Sequence, residues 1–138
     1  RTPRHVLLSD YGHHPKEILM SAKSLREIYP NRKITVMFQP HLYTRTRDFY
    51  KDFAAALSNF DEVVLTDIYP AREEPIPGVT SKLIFDNIKP GVEKTMIKKD
   101  DVLEYVASRD FDVLEILGAG NLDDLVPQIA DLIKKKEE

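Results

Sequence analysis

The segment D-Y-G-H-H-P at residues 10–15 places an acid, a phenol, a glycine and two histidines directly after an apolar run. One interpretation is a tight turn, in which Gly12 supplies backbone freedom, Pro15 begins a helix and a histidine caps it. A metal site is disfavoured, because adjacent histidines on extended backbone point to opposite sides and cannot both reach one ion. In a third interpretation, Asp10 accepts hydrogen bonds from ligand hydroxyls, while Tyr11 and a histidine offer a flat surface and a polar edge. That chemistry suits a nucleoside.

The segment Q-P-H-L-Y-T-R-T-R-D at residues 39–48 brings two arginines to the start of a predicted helix. A guanidinium beside a helix N-terminus is suited to a carboxylate or a phosphate, so Arg45 and Arg47 are candidate anion contacts. Surface pairing is the alternative, above all for Arg47 with Asp48. His41 fits a packed core histidine and a substrate contact equally well, and the sequence leaves both open.

The segment Y-P-A-R-E-E-P-I-P-G at residues 69–78 is rich in proline and ends on a glycine, which predicts a stiff, extended loop. Such a loop can simply cross the edge of a sheet. Within it, Arg72 and Glu73 are the side chains that could contact a ligand.

The segment G-A-G-N at residues 118–121 is not a dinucleotide-binding motif, because the third glycine is absent and the segment follows the last predicted strand rather than the first. Gly118 allows close backbone approach, and Asn121 can cap a helix whose N-terminus faces an anion or a ribose. The sequence contains no G-x-x-x-x-G-K-[ST] motif, so it has no P-loop for the phosphates of ATP.

The elements that position these segments follow from an alternation of short β-branched runs with longer runs of helical period. This alternation predicts an α/β, Rossmann-like, three-layer αβα domain with a mostly parallel sheet of five to six strands and about five helices. The predicted strands are residues 5–9, 34–38, 62–67, 93–98 and 112–117. The predicted helices are residues 15–29, 46–59, a short helix capped by Thr80, one capped by Asp100, and 121–135.

All four polar segments follow predicted strands, whereas the loops from helix to strand look like plain turns. Parallel strands end at the same edge of a sheet, and ligands of open α/β sheets bind beyond that edge. We therefore expect the polar segments to converge. Phe49 is expected to face the core of the domain together with Phe53. Glu115 is an acid inside an apolar strand, so its side chain must reach solvent or a hydrogen-bond partner.

The composition is that of an ordinary globular domain: 138 residues, 42% apolar and 31% charged, a net charge of −3 and no cysteine. We expect a single domain over residues 1–138, without disulfides or thiolate chemistry, without nucleic acid as a partner, and without a membrane span. The expected location is the cytoplasm. The start at R-T-P-R, without methionine, suggests a fragment cut at a domain boundary.

The four segments, D-Y-G-H-H-P-K-E, F-Q-P-H-L-Y-T-R-T-R-D, D-I-Y-P-A-R-E-E-P-I-P-G and L-G-A-G-N, closely resemble in this order the C-terminal domain of bacterial Mur ligases. The version they resemble best is that of the members that add L-alanine to UDP-N-acetylmuramate. The resemblance covers essentially the whole chain. It implies an ATP- and Mg²⁺-dependent ligase of peptidoglycan synthesis that acts through an acyl phosphate, in which a UDP-sugar domain and a central ATPase domain precede this one.

Carried over by residue, the resemblance implies nucleotide contacts by Asp10, Tyr11 and His13, and amino-acid contacts by His41 and Arg45. Apart from the resemblance, the types and positions of four more residues make them candidate contacts along the same edge: Arg47, Arg72, Gly118 and Asn121.

Within this domain alone the resemblance implies no catalytic residue, no metal ligand and no bound cofactor. Many members carry arginine where this chain has Leu42, so one expected positive group is missing. Two other hypotheses stay open. One is a stand-alone module that binds a nucleotide or an anion without catalysis, and the other is a histidine-metal hydrolase.

Overall fold

The computed structural model describes residues 6–10, 14–118 and 122–137. In this part of the chain, five strands form one sheet: β1 (Val6–Asp10), β2 (Ile34–Gln39), β3 (Glu62–Leu65), β4 (Glu93–Met96) and β5 (Val113–Gly118). Their order is β1-β5-β2-β3-β4, and all neighbours are parallel. The predicted α/β class with a parallel sheet is confirmed.

Five helices of the described residues connect and cover these strands: α1 (Pro15–Ile28), α2 (Tyr43–Leu57), α3 (Lys82–Phe85), α4 (Val102–Ser108) and α5 (Val126–Glu137). One face of the sheet packs against α1, α2 and α3, and the other packs against α4 and α5. Strand β5 contributes side chains to both faces. Val113 and Leu117 pack in the core on the α1, α2 and α3 side, whereas Leu114 and Ile116 pack in the core on the α4 and α5 side. Both faces are covered, as is typical of parallel sheets.

Helix α2 differs from its prediction at two points. It begins at Tyr43 rather than near residue 46, because a distant acid caps its first turn, as described below. The predicted inward position of Phe49 is wrong, because its side chain is 45% exposed, whereas Phe53 is 1% exposed in the core. Phe49 lines a cavity between α1 and α2 instead. The buried face of α2 therefore includes fewer of its apolar residues than predicted.

Three helix starts were predicted from single residues. The hydroxyl of Thr80 accepts a hydrogen bond from the Lys82 N–H (3.2 Å), but the cap position of α3 is occupied by Ser81, one residue later than predicted. The predicted cap by Asp100 is wrong, because Asp100 lies inside a short 3-10 turn, Lys99–Asp101, that precedes α4. Helix α5 begins later than predicted, after a 3-10 turn at Leu122–Leu125. Pro127 explains this start, because proline is tolerated only in the first turn of a helix.

Ion pairs connect the side chains at the amino-terminal edge of the sheet. The atom pairs are Arg32 Nε and Asp112 Oδ1 at 2.6 Å, Lys33 Nζ and Glu93 Oε2 at 3.0 Å, and Arg109 Nη2 and Glu62 Oε2 at 2.7 Å. Among the described residues, these acids and bases pair with one another, which leaves few free charges for a ligand at this edge.

Asp61 is expected to make the stability of the domain depend on pH at this edge. Its carboxylate accepts hydrogen bonds from Arg26 Nη1 (3.1 Å) and the Ile34 N–H (2.8 Å). Partial burial alone would raise the pKa of Asp61, but these bonds outweigh it and hold the pKa below the ordinary 3.8. A depressed folded pKa means that the stabilisation is complete above the unfolded pKa and is lost as the pH falls through the folded one.

The measurement is the melting temperature of the wild-type chain and of Asp61→Asn, taken between about pH 6 and about pH 3. We expect the wild type to lose more stability than the variant over this interval, because asparagine does not titrate. Parallel curves would contradict the role of Asp61.

Candidate functional site

Three strands end side by side at the opposite edge of the sheet, which we call the carboxyl edge. In the register of the sheet, Asp10 of β1 lies opposite Leu117 of β5, and Gln39 of β2 lies opposite Gly118. The order β1-β5-β2 therefore brings together Asp10, Gln39 and Gly118, the residues at which the first, second and last polar segments begin, although they are far apart in the sequence. The convergence expected from parallel strands is observed for these three residues.

Gly118 is needed where β5 and β2 approach each other at this edge. A Cβ added at Gly118 would lie 3.2 Å from the backbone oxygen of Gln39 and 3.4 Å from its Cβ. The buried side chain of Gln39 crosses the same gap, because its Oε1 accepts a hydrogen bond from the Leu122 N–H (2.9 Å). The end of β2 thus holds the backbone that follows the G-A-G-N segment.

Part of the predicted nucleotide contact cannot be examined in the structure. Tyr11, His13 and Asn121 lie outside the described residues, and Asp10 is described by its backbone alone. Asp10 is the last residue of β1, so its backbone lies at the carboxyl edge as predicted. The roles assigned to these four residues stay predictions.

The turn between β2 and α2 contains a strained residue. Leu42 has φ 74° and ψ 138°, a conformation that residues with a side chain rarely adopt. Its carbonyl oxygen accepts hydrogen bonds from the Thr46 N–H (3.2 Å) and the Thr46 hydroxyl (2.9 Å). Strain of this kind costs on the order of 1–3 kcal/mol and persists only where surrounding contacts enforce it. It is concentrated at functional sites, which makes this turn a candidate.

The loop from β3 to α3, residues 66–81, enforces that conformation. The Tyr69 N–H donates to the Pro40 oxygen (2.8 Å), and the Leu42 N–H donates to the Tyr69 oxygen (2.9 Å). Between these bonds the rings of His41 and Tyr69 are stacked, with centroids 5.7 Å apart and planes 22° apart. The loop therefore continues the sheet for one residue pair and fixes the half-buried His41.

Glu73, in the same loop, caps α2 from outside the helix. Its Oε1 accepts a hydrogen bond from the Thr44 N–H (3.1 Å), and its Oε2 accepts one from the Thr44 hydroxyl (2.5 Å). The bond from the hydroxyl is the main reason that the pKa of Glu73 lies below its usual range. The carboxylate also complements the positive end of the helix dipole. Glu73 was a candidate ligand contact, and the structure shows that its carboxylate stabilises the first turn of α2.

Arg45 follows Thr44 in the first turn of α2 and is half-buried. Its Nη1 atom is buried and has no hydrogen-bond partner among the described residues. Buried donors are almost always paired, and a charged one left unpaired costs more than a neutral one. An anion that enters the carboxyl edge would supply the missing acceptor. A carboxylate fits best, because it can accept two parallel bonds from one guanidinium.

The other two arginines that were predicted to contact a ligand, Arg47 and Arg72, are exposed. Arg47 pairs with its neighbour, with Nε 2.9 Å from Asp48 Oδ1, which is the surface pairing weighed as its alternative. This bond raises the pKa of Arg47 and lowers that of Asp48. Arg72 is exposed in the β3–α3 loop. Both are more exposed than the half-buried Arg45, and both stay predicted contacts.

Glu115 finds its partner on α1. The Ser21 hydroxyl lies 2.5 Å and 2.6 Å from the two carboxylate oxygens, so it donates its single proton between them. The side chain of Glu115 is 4% exposed and lines the cavity between α1 and α2, about 1060 Å³ in volume, together with Met20 and Phe49. The sequence indicated that Glu115 needs a partner, but no local pattern identifies a serine 94 residues away.

Among the described residues, no three histidine, aspartate or glutamate side chains are grouped so as to hold a metal ion. None of the helices in the described ranges has the length and hydrophobicity needed to span a bilayer.

The fold and the carboxyl edge define the class of this protein. A family model described as "Mur ligase, glutamate ligase domain" matches residues 1–125, and the chain belongs to this family.

The similar proteins within this family are ligases of one kind. It is 61% identical over 131 residues to the UDP-N-acetylmuramate–L-alanine ligase of Phocaeicola vulgatus, covering 95% of this chain and 29% of that one. It is 52% identical over 136 residues to the ligase of the same name from Parabacteroides distasonis, covering 99% of this chain and 29% of that one. Among solved structures it is similar to UDP-N-acetylmuramate-alanine ligase MurC from Thermotoga maritima, with a TM-score of 0.77, 26% identity, and coverage of 99% and 29%. The chain spans less than a third of the length of these relatives.

Proposed function

We propose that this chain is the C-terminal domain of an ATP-dependent ligase that joins L-alanine to UDP-N-acetylmuramate in peptidoglycan synthesis. The observation that carries the proposal is the buried Nη1 of Arg45, which has no hydrogen-bond partner among the described residues, at the carboxyl edge of a chain 61% identical to such a ligase. In this proposal the guanidinium of Arg45 accepts the carboxylate of L-alanine, beside the imidazole of His41. Two contacts to one carboxylate fix the direction in which the amino group points.

Orientation is the contribution of this domain to the reaction. Amide formation requires the amine of L-alanine to meet an activated muramoyl carboxyl group, and holding two reactants in the productive geometry lowers the barrier. Closure of the domain over the site excludes water, which would otherwise hydrolyse the activated group. No residue of this chain is assigned a bond-forming step.

The nucleotide contact of this domain lies at the end of β1. Asp10 accepts hydrogen bonds from ribose hydroxyls, with Tyr11 and His13 beside it. The phosphates of ATP and a Mg²⁺ ion do not fit this chain alone, because the sequence has no P-loop and the described residues offer no cluster of metal ligands. We assign both to a central ATPase domain, and the UDP-sugar to an N-terminal domain, within the part of the protein that this chain does not cover. ATP and nucleotide sugars place the reaction in the cytoplasm.

Calorimetry and a ligation assay test the proposal together. The 138-residue chain should show no saturable ATP binding below millimolar concentration and no ligation, because the phosphates have no binding loop here. The full-length protein should bind ATP and ligate L-alanine, and Asp10→Ala should raise its KM for ATP.

Tight, saturable binding of ATP to the 138-residue chain, together with a full-length protein that ligates no amino acid, would instead identify a nucleotide-binding module. Wild-type kinetics in the Asp10→Ala protein would remove Asp10 from the nucleotide contact. Bound metal in the purified chain would revive the hydrolase hypothesis.

A further inference from the structure

The first turn of α2 receives its cap from another loop rather than from its own N-terminal residue. Leu42, at the cap position, has no side-chain hydrogen bond to the helix, and leucine has no group that could make one. The acceptor comes from Glu73, which makes two bonds to Thr44 and lies 29 residues after it in the chain. Thr44 immediately precedes Arg45, so the same contact determines where the helix begins and where the guanidinium lies.

The position of Glu73 also bears on which positive group at this turn can bind a substrate carboxylate. Both of its oxygens accept bonds from Thr44, and in the described part of the chain Arg45 Nη1 has no hydrogen-bond partner, Glu73 included. At the same time its carboxylate occupies the end of α2, where an incoming anion would otherwise meet free N–H groups. A substrate carboxylate that reaches this turn therefore meets the guanidinium rather than the helix end.

The rest of the β3–α3 loop supports this arrangement. Tyr69 is bonded through its backbone to Pro40 and Leu42, and its ring is stacked on His41. The two proposed amino-acid contacts, His41 and Arg45, are thus each held by a residue of the same loop. A strained backbone conformation persists only where surrounding contacts enforce it. Breaking the contacts of the β3–α3 loop is therefore expected to let Leu42 leave its strained conformation.

We infer that Glu73 is a positioning residue for the amino-acid substrate, which caps α2 so that Arg45 is fixed and unpaired when L-alanine binds. This inference rests on the proposed function. Glu73 touches no substrate in it and acts through Thr44 and the first turn of the helix.

The test is steady-state kinetics of the full-length ligase with two variants. Glu73→Gln removes the charge and one acceptor oxygen, and Thr44→Val removes the hydroxyl bond but leaves the bond from the Thr44 N–H. Each variant should raise KM for L-alanine about tenfold, the loss typical of a helix cap, with kcat within about threefold and KM for ATP within about twofold. The double variant should be no worse than Glu73→Gln alone, because Thr44→Val removes one of the two bonds that Glu73→Gln already weakens. Thr44→Ser keeps the hydroxyl and should restore the wild-type KM.

Glu74→Gln is the matched control, because Glu74 is the adjacent acid, is exposed, and should leave every parameter unchanged. A lowered melting temperature with parallel losses in kcat and in both KM values would make Glu73 a general structural residue and overturn the inference. If Arg45→Ala raises KM for L-alanine but Glu73→Gln and Thr44→Val do not, the positioning role fails while the proposed function stands. If none of the three changes it, the proposed function fails.

Discussion

Replacing Arg45 by alanine in the full-length ligase is expected to lower kcat/KM for L-alanine by about two to three orders of magnitude, which corresponds to roughly 3–4 kcal/mol. The physical reason is that a substrate carboxylate would lose its charged partner in a half-buried turn, where water replaces the lost bonds poorly. KM for ATP should change by less than about threefold, because the proposed nucleotide contact lies at the end of another strand.

The stability of the Arg45→Ala chain provides an independent readout. Removing a buried donor that has no partner among the described residues also removes a desolvation cost, so the melting temperature should stay the same or rise. A residue that mattered only for folding would behave in the opposite way. Arg45→Lys should recover only part of the activity, because a point charge does not reproduce the paired donors of a guanidinium.

Lys51→Ala is the control for charge, because Lys51 is an exposed cation on the same helix. It should leave kcat/KM for L-alanine within about twofold, since exposed charges contribute little. Unchanged alanine kinetics in Arg45→Ala would refute the assignment of the carboxylate contact. An equal loss in Lys51→Ala would show that the net charge of the helix matters rather than Arg45.

Gly118→Ala is expected to destabilise the chain by about 2–3 kcal/mol, the upper part of the range for inserting a methyl group into packed structure. The new Cβ would lie 3.2 Å from the backbone oxygen of Gln39. Gln39 cannot easily yield, because it ends a strand paired on both sides and its buried side chain also holds Leu122. Thermal or denaturant unfolding measures the effect directly.

Gly91→Ala is the comparison that isolates the contact. Gly91 has φ 94°, so alanine is strained there, but its Cβ would meet no atom within 4 Å. The backbone conformation alone should cost about 1–2 kcal/mol. A loss at Gly118 no greater than the loss at Gly91 would show that the sheet relaxes and that the close approach is unimportant.

The sequence is sufficient for the fold class and for the identity of the polar segments. Apolar runs of strand and helix period are local properties, and they predict an alternating α/β chain whose parallel strands end at one edge. The motifs at residues 10–15, 39–48, 69–78 and 118–121 could be recognised as chemically distinct before any coordinates, and the family resemblance they carry is confirmed by the family match.

The tertiary structure decided how these segments meet. Strand β5, the last along the chain, lies between β1 and β2, which puts Gly118 against Gln39. The early start of α2 depends on Glu73, and the burial of Glu115 depends on Ser21. These partners are 29 and 94 residues apart. Periodicity reports only what lies within a few residues, whereas strand order, long-range caps and partners for buried charges are fixed by packing between distant parts of the chain.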